Sequence, residues 1–327
     1  MIAGQSPPPF DHAGLVRLGR HLKQAGYHHI AVTPLTHGYH NARAGDAPAR
    51  TLRDIFGWNR PFPREAVTPH EFALMSEAGI LTPAGDLWRS TIRWATLGHD
   101  GGGHLCAHSA FPTLDHDAVF FGPDTYRFAH MIRRHFACTP NAARARTAVD
   151  IGCGSGAGAL LLADGCPDAR ILAADINPKA LHLTRVNAEL ASPGHAARIV
   201  PRRSDLLASL DGTFDLIIAN PPYMLDTAQR AYRHGGGTRG EGLAQRIIEA
   251  ALQRLAPGGT LLLYTGVAIV EGHDILRDGL TPGIPPEYRW SYEELDPDVF
   301  PDELLKPAYA RVERIAAIAF TLTAPPS

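Results

Sequence analysis

Apolar residues recur at three- and four-residue intervals in the first quarter of the chain. Past residue 140 they fall in short continuous runs set off by glycine. Between 13 and 26, Leu15, Leu18, Leu22 and Ala25 share one face of a 3.6-residue repeat, which predicts a helix. The stretch from Thr33 to Ala49 has no such period and reads as a loop. Residues 51–57 and 68–79 read as two short helices. In the second, Thr68 is the N-cap, Pro69 the first helical residue, Glu71 the capping-box partner and Gly79 the stop. Alternating runs from Trp88 to Leu97 and Leu105 to Phe111, parted by Gly101–Gly103, predict a hairpin. Helix, helix, hairpin outlines a small winged-helix-like module, here a lid or substrate-docking element over 1–116. Its second helix carries Glu71 and Glu77 against only His70, a poor match for a nucleic-acid-reading helix.

The pattern changes near Pro112, Asp115, Asp117, Gly122 and Pro123. Beyond this boundary, over 117–327, strand-like runs (146–151, 170–175, 197–203, 214–219, 259–265, 314–323) alternate with helical ones (124–136, 156–164, 178–191, 242–256, 271–278). That alternation predicts an α/β domain with a parallel sheet wound on both faces. No internal repeat is present.

Composition narrows the class. Of 327 residues, 45% are hydrophobic and 20% charged, an ordinary globular balance. A net charge of −2 gives no global basic field to draw the chain onto nucleic acid. Arg and Lys outnumber acids eight to three over residues 1–64, which reads as a solvated face. Cys106, Cys138, Cys153 and Cys166 lack paired spacing and read as reduced thiols. His37, His40, His99, His104 and His108 lie close in sequence, without HxxxH on a helix or a companion Cys pair, so the pattern predicts no metal site. The first twelve residues lack a leader pattern and no apolar run nears a membrane-spanning length, so the expectation is a cytoplasmic protein without a membrane partner.

Two motifs carry the chemistry. The run 147–151 ends in DIGCGSG at 150–156, where Gly152, Gly154 and Gly156 let the chain turn and let a ligand approach the backbone. Asp150 precedes them in a GxGxG spacing. The next strand ends at Asp175, placed to accept both hydroxyls of a ribose, with Asn177 beside it. The third ends at Asp205 and Leu206, so three successive strands finish beside an acid. The buried-strand pattern 214–219 then terminates in Asn220, Pro221, Pro222 and Tyr223. Two prolines stiffen this tetrapeptide and remove two donors. The Asn220 side-chain oxygen and the Pro221 carbonyl remain as acceptors for the two in-plane N–H bonds of an sp² amino group, on which Tyr223 can stack.

In this order the motifs resemble the class I S-adenosyl-L-methionine (SAM) methyltransferases that act on planar nitrogen. These include the release-factor glutamine methyltransferases and the rRNA and DNA amino-methyltransferases. The resemblance covers about residues 119–323. It implies a Rossmann-like seven-stranded sheet, SAM as cofactor, and a last strand (314–323) inserted antiparallel near the sheet edge. It also implies an acid at Asp205 facing the adenine amino group with a backbone N–H at Leu206. Gly122–Thr125 partly matches a segment that packs over the cofactor's methionine end. This adds Thr125 as a cofactor contact, and Tyr126 and Arg127 as contacts to the SAM carboxylate or the acceptor. The glycine-rich run 232–243, beginning at Tyr232, would wall the pocket.

Four reactions fit. A protein amide suits both the tetrapeptide and the near-neutral charge. An RNA base amine suits the tetrapeptide, and the missing basic surface counts against it. A small-molecule acceptor would explain the acidic, proline-rich insertion from 281 to 309 as a closing segment. Intramolecular cyclisation of SAM to a four-membered-ring amino acid, releasing methylthioadenosine, would use the aromatic residues Phe120, Phe121, Tyr126 and Tyr223. The acceptor and the oligomeric state are not set by the sequence.

Overall fold

The structure is a computed structural model that describes residues 10–98, 103–113, 115–225, 233–280 and 283–326. Helix α1 (His12–Gln24) starts where the Asp11 carboxylate accepts the Gly14 N–H at 2.6 Å. It buries Leu15, Val16, Leu18 and Leu22. The stretch expected to be a loop contains helix α2 (Pro34–Ala44), capped by the Thr33 hydroxyl on the Thr36 N–H and begun by Pro34. Only His37 of this helix is buried, so it carries no apolar stripe for a periodicity argument to detect. Helices α3 (Leu52–Phe56) and α4 (Pro69–Glu77) each open on a capping box, Thr51 with Asp54 and Thr68 with Glu71.

The expected hairpin is present over 92–97 and 104–109, and an additional, earlier one precedes it. The chain turns back earlier, as β1 (Leu81–Ala84) against β2 (Leu87–Ser90), then breaks at Thr91. Strands β3 (Ile92–Leu97) and β4 (His104–Ser109) form a second antiparallel pair, nearly all of it buried. Of the turn expected at Gly101–Gly103, only Gly103 is among the described residues. Residues 110–122, where the sequence pattern changes, carry no helix or strand among those described.

The larger part follows as α5 (Pro123–Cys138), β5 (Thr147–Ile151), α6 (Ala157–Gly165), β6 (Arg170–Asp175), α7 (Pro178–Ala191), α8 (Pro193–Arg198), β7 (Ile199–Arg203) and β8 (Phe214–Ala219). Then come α9 (Gly242–Arg254), β9 (Leu255–Val270), β10 (His273–Asp274), α10 (Ile275–Leu280), β11 (Arg289–Asp296) and β12 (Arg314–Thr323). The main sheet has the order β11-β12-β9-β8-β5-β6-β7, with the short β10 paired to β9. Strands β5 to β9 run parallel to one another, and β12 lies antiparallel between β9 and β11. This is an α/β, Rossmann-like sheet.

The insertion 281–309 holds, in its middle, β11, an edge strand hydrogen-bonded to β12 and exposed over most of its length. One apolar core, with Phe128, Ile132, Leu160 and Leu162, fills one face of the sheet; Ile247, Ile248, Ala251 and Leu276 cover the other. A third joins Leu15, Leu18 and Trp94 to Leu183, Val186 and Leu190 of α7, so the first hundred residues share a core with the sheet domain. No helix among the described residues is long and apolar enough to cross a membrane.

Register fixes where the chemistry collects. Ile151 of β5 pairs with Ala174 of β6 and Ala219 of β8, and Asp175 pairs with Arg203 of β7. Gly152, Asp175, Ser204 and Asn220 therefore emerge at one sheet edge. Strand order reverses between β5 and β8, and the crevice outside such a switch point is where open α/β sheets bind ligands.

Candidate active site

One cavity of about 240 Å³ opens at this edge. It gathers Thr125, Asp150, Gly152, Gly154, Asp175, Asn177, Asp205, Leu206 and all of Asn220–Tyr223. Gly152 and Gly154 have φ of 68° and 54°, which L side chains rarely adopt. A Cβ on Gly152 would meet nothing within 4 Å, so these positions leave a cradle of bare backbone. Gly156 does not line the cavity; at φ 82° it closes the turn, and a Cβ there would meet Thr184 at 2.9 Å.

The loop is held from below. Asp150 is buried, and its Oδ2 accepts the Ala159 N–H at 2.9 Å, which anchors the first turn of α6. Burial pushes its carboxyl up to about 8, the Ala159 N–H opposes that, and the charge of Asp175 adds to it. The Thr184 hydroxyl donates to the Gly154 carbonyl at 3.1 Å, and the Asn187 amide donates to the Ser155 carbonyl at 2.8 Å. Asn187 also accepts the Ala107 N–H (2.8 Å) and donates to the Ala107 carbonyl (3.1 Å), tying the loop to β4.

At the end of β6, Asp175 accepts the Asn177 N–H on Oδ1 (2.8 Å) and the Gly154 N–H on Oδ2 (3.0 Å). A carboxylate offers about four lone-pair sites, so acceptor capacity remains for a diol. Burial raises its pKa against the pull of those N–H groups. Next to it Ile176 is 52% exposed while lining the cavity, an apolar face suited to a planar ring. The bare loop, the diol-ready acid and the apolar shelf together fit an adenosine-bearing cofactor. Asn177 is used by the fold: Oδ1 caps α7 on the Lys179 N–H and Nδ2 donates to the Asp117 carbonyl. Asp205 accepts from Arg246 Nη2 at 3.1 and 3.0 Å in an exposed ion pair, and Leu206 takes a left-handed φ of 49°.

The tetrapeptide forms the opposite wall. Gly266 of β9 makes room for the Tyr223 ring, since a Cβ would sit 2.2 Å from Tyr223 Cε2. Phe300 meets that ring edge-on at 6.0 Å between centroids. Gly235 and Gly240 pack so tightly on the Pro222 and Tyr223 backbone that no Cβ fits at either. Along the same wall, buried Asp124 accepts the Tyr264 hydroxyl from behind at 2.7 Å and Arg127 Nη1 at 3.4 Å. Burial raises the Asp124 carboxyl despite the hydroxyls of Tyr264 and Tyr223, and burial beside Asp124 raises the Tyr223 phenol well above its usual value.

Two expected substrate contacts lie elsewhere. The Tyr126 hydroxyl accepts the Ala31 N–H at 2.9 Å, and Arg127 Nη2 donates to Asp296 at 2.7 Å; neither residue lines the cavity. Their polar groups are spent on the N-terminal segment and on β11. Tyr232 lies outside the described residues. Asp124, in the segment Gly122–Thr125 expected over the cofactor, does line the cavity; sequence reasoning missed Ile176 and Phe300 there, and Tyr264 behind Asp124. A tyrosine in the otherwise apolar run 261–264 was the available signal. The late insertion does reach the site, through Phe300, and Glu303 pairs with Arg233 on the cavity wall.

Residues 132–268 match the family described as Methyltransferase small domain. The chain resembles the class I SAM-dependent methyltransferases. It is 32% identical over 174 residues to the release factor glutamine methyltransferase of Koribacter versatilis, covering 49% of this chain and 60% of that one. It is 41% identical over 126 residues to the enzyme of the same description from Deinococcus radiodurans, covering 35% and 44%. It is also 35% identical over 129 residues to the ribosomal protein uL3 glutamine methyltransferase of Neisseria meningitidis, covering 36% and 42%. The chain thus spans three fifths or less of these relatives' length. The family match and the cradle at 152–158 support SAM as cofactor of this methyltransferase-like chain.

Proposed function

We propose that this chain is a SAM-dependent N-methyltransferase that methylates the side-chain amide of a protein glutamine. The observation that carries the reading is that Asn220–Tyr223 and the glycine loop line one cavity, so an amino group held by the first faces a cofactor held by the second. SAM supplies a sulfonium methyl that is already electrophilic. The Asn220 Oδ1 and the Pro221 carbonyl accept the two amide N–H bonds and turn the nitrogen lone pair toward that methyl. The buried Tyr223 ring closes the wall beside it. As the N–CH₃ bond forms, the S–CH₃ bond breaks and one amide proton leaves to solvent, so alignment rather than a strong base carries the rate. The relatives' named acceptors, a release factor and a ribosomal protein, and the net charge of −2 favour a protein over RNA.

The test is mass spectrometry of purified chain with SAM, alone and with a glutamine-bearing translation termination factor. The expected products are S-adenosylhomocysteine and a 14 Da gain on glutamine, only when acceptor is present. In the Asn220→Ala variant turnover falls by about 100-fold, the scale of a lost alignment, with SAM affinity little changed. Methylthioadenosine from SAM alone would replace this reading with cyclisation.

A further inference from the structure

We propose that His104, Asp164 and His195 form a zinc-type metal site that staples the β3–β4 pair to the sheet domain. His104 begins β4, Asp164 stands in the last turn of α6, and His195 lies in α8. The two imidazoles direct Nε2 at opposite oxygens of one carboxylate, each at 2.8 Å. All three ligand atoms lie within 4.8 Å of one another. A tetrahedral zinc with ligands at about 2.0 Å needs them roughly 3.3 Å apart, a small adjustment from this arrangement.

The supports around the three residues are already in place. The Ser192 hydroxyl lies 2.7 Å from His195 Nδ1. With Nδ1–H donating to that oxygen, the Nε2 lone pair points inward, the tautomer a metal-bound histidine takes. Arg198 donates to the Ala163 carbonyl at 2.7 Å and the Cys166 carbonyl at 2.8 Å, clamping α8 onto the end of α6 and holding His195 over Asp164. The imidazoles are 15% exposed, whereas Asp164 is 44% exposed and leaves an open side for a water ligand.

Two imidazoles and one carboxylate suit zinc or cobalt and are a poor set for magnesium or calcium. The site lies about seven helical residues along α6 from the cavity, roughly 10 Å, and shares no residue with it. Its role is structural, and the proposal does not depend on the catalytic reading.

The experiment is metal analysis and thermal melting of the full chain after dialysis against zinc, with magnesium as control. The wild type retains about one zinc per chain, and a hundredfold excess over Kd raises Tm by about 5 °C. Magnesium changes neither. Asp164→Asn and His195→Gln lose the bound zinc and the Tm gain while keeping the wild type's circular dichroism spectrum and a cooperative melt, which certifies their fold. Wild type that holds no more zinc than Asp164→Asn, or that melts identically with and without it, would overturn the site. In that case the three side chains form only a hydrogen-bonded clasp.

Discussion

At the scale of single residues, the site depends as much on absent side chains as on present ones. The Tyr223 ring packs against β9 where Gly266 offers no Cβ, beside the Asn220 and Pro221 acceptors proposed to hold the amino group. The Gly266→Ala variant forces the ring or β9 to move, since backbone and a packed ring hold both sides. The expected cost is about 1–3 kcal/mol of stability, the range for overpacking a filled core. Turnover should drop more than SAM affinity, because the displaced group is on the acceptor wall. Urea denaturation, isothermal titration with SAM and an acceptor assay read the three quantities separately. Unchanged turnover with lost stability would show that the ring's position does not matter to the reaction. Asp124 belongs to the same wall: the segment Gly122–Thr125 was expected over the cofactor, but the Tyr264 partner of Asp124, 140 residues away, left no local signal.

At the scale of elements, what could be read from sequence was whatever announced itself locally. Helix α7 was expected over 178–191 and occupies Pro178–Ala191, because Asn177 caps it and Pro178 opens it. The strand ends at Asp150, Asp175 and Asn220 were readable for the same reason, as buried runs that stop at a polar residue. Helix α2 was missed because it buries only His37, and β11 because an exposed edge strand rich in Glu resembles a polar loop. His104, Asp164 and His195 meet across sequence gaps of 60 and 31 residues, which no spacing rule reports. Asn187 shows how elements become interdependent, since one carboxamide holds α7, β4 and the glycine loop. Removing it in Asn187→Ala leaves the Ala107 N–H and two carbonyls without partners in a buried place. The expected loss is about 3 kcal/mol, at 1–3 kcal/mol for each badly unsatisfied group. SAM should bind more weakly, because the loop loses its brace at Ser155. Full SAM affinity in a destabilised variant would mean that the loop keeps its shape without β4.

Across the whole molecule, the N-terminal part carries a charge problem that only acid reveals. His29, His37 and His108 are buried around Arg93, and the charges acting on them come from arginines and other histidines rather than from an acid. Burial first, then the Arg93 charge, lowers His29 to about 3 and His37 to about 4, and holds His108 well below its usual value. A histidine depressed in the folded state stabilises it above the unfolded pKa of 6.5, and that contribution is lost as pH falls toward the folded value. Between pH 7 and 5 His29 and His37 therefore each cost about 2 kcal/mol, and His108 acts in the same direction. Asp150 works the other way: its folded value near 8 lies above the unfolded one, so it favours the folded state as pH drops over the same interval. One such carboxyl returns about 2–3 kcal/mol, and Asp124 and Asp175, also raised by burial, act in the same direction. The variants therefore carry the prediction. From pH 7 to 5 the urea midpoint should change more favourably in His37→Gln than in the wild type, and less favourably in Asp150→Asn, which lacks one of the opposing groups. The reverse ordering of the two variants would overturn this account of the buried histidines and Asp150.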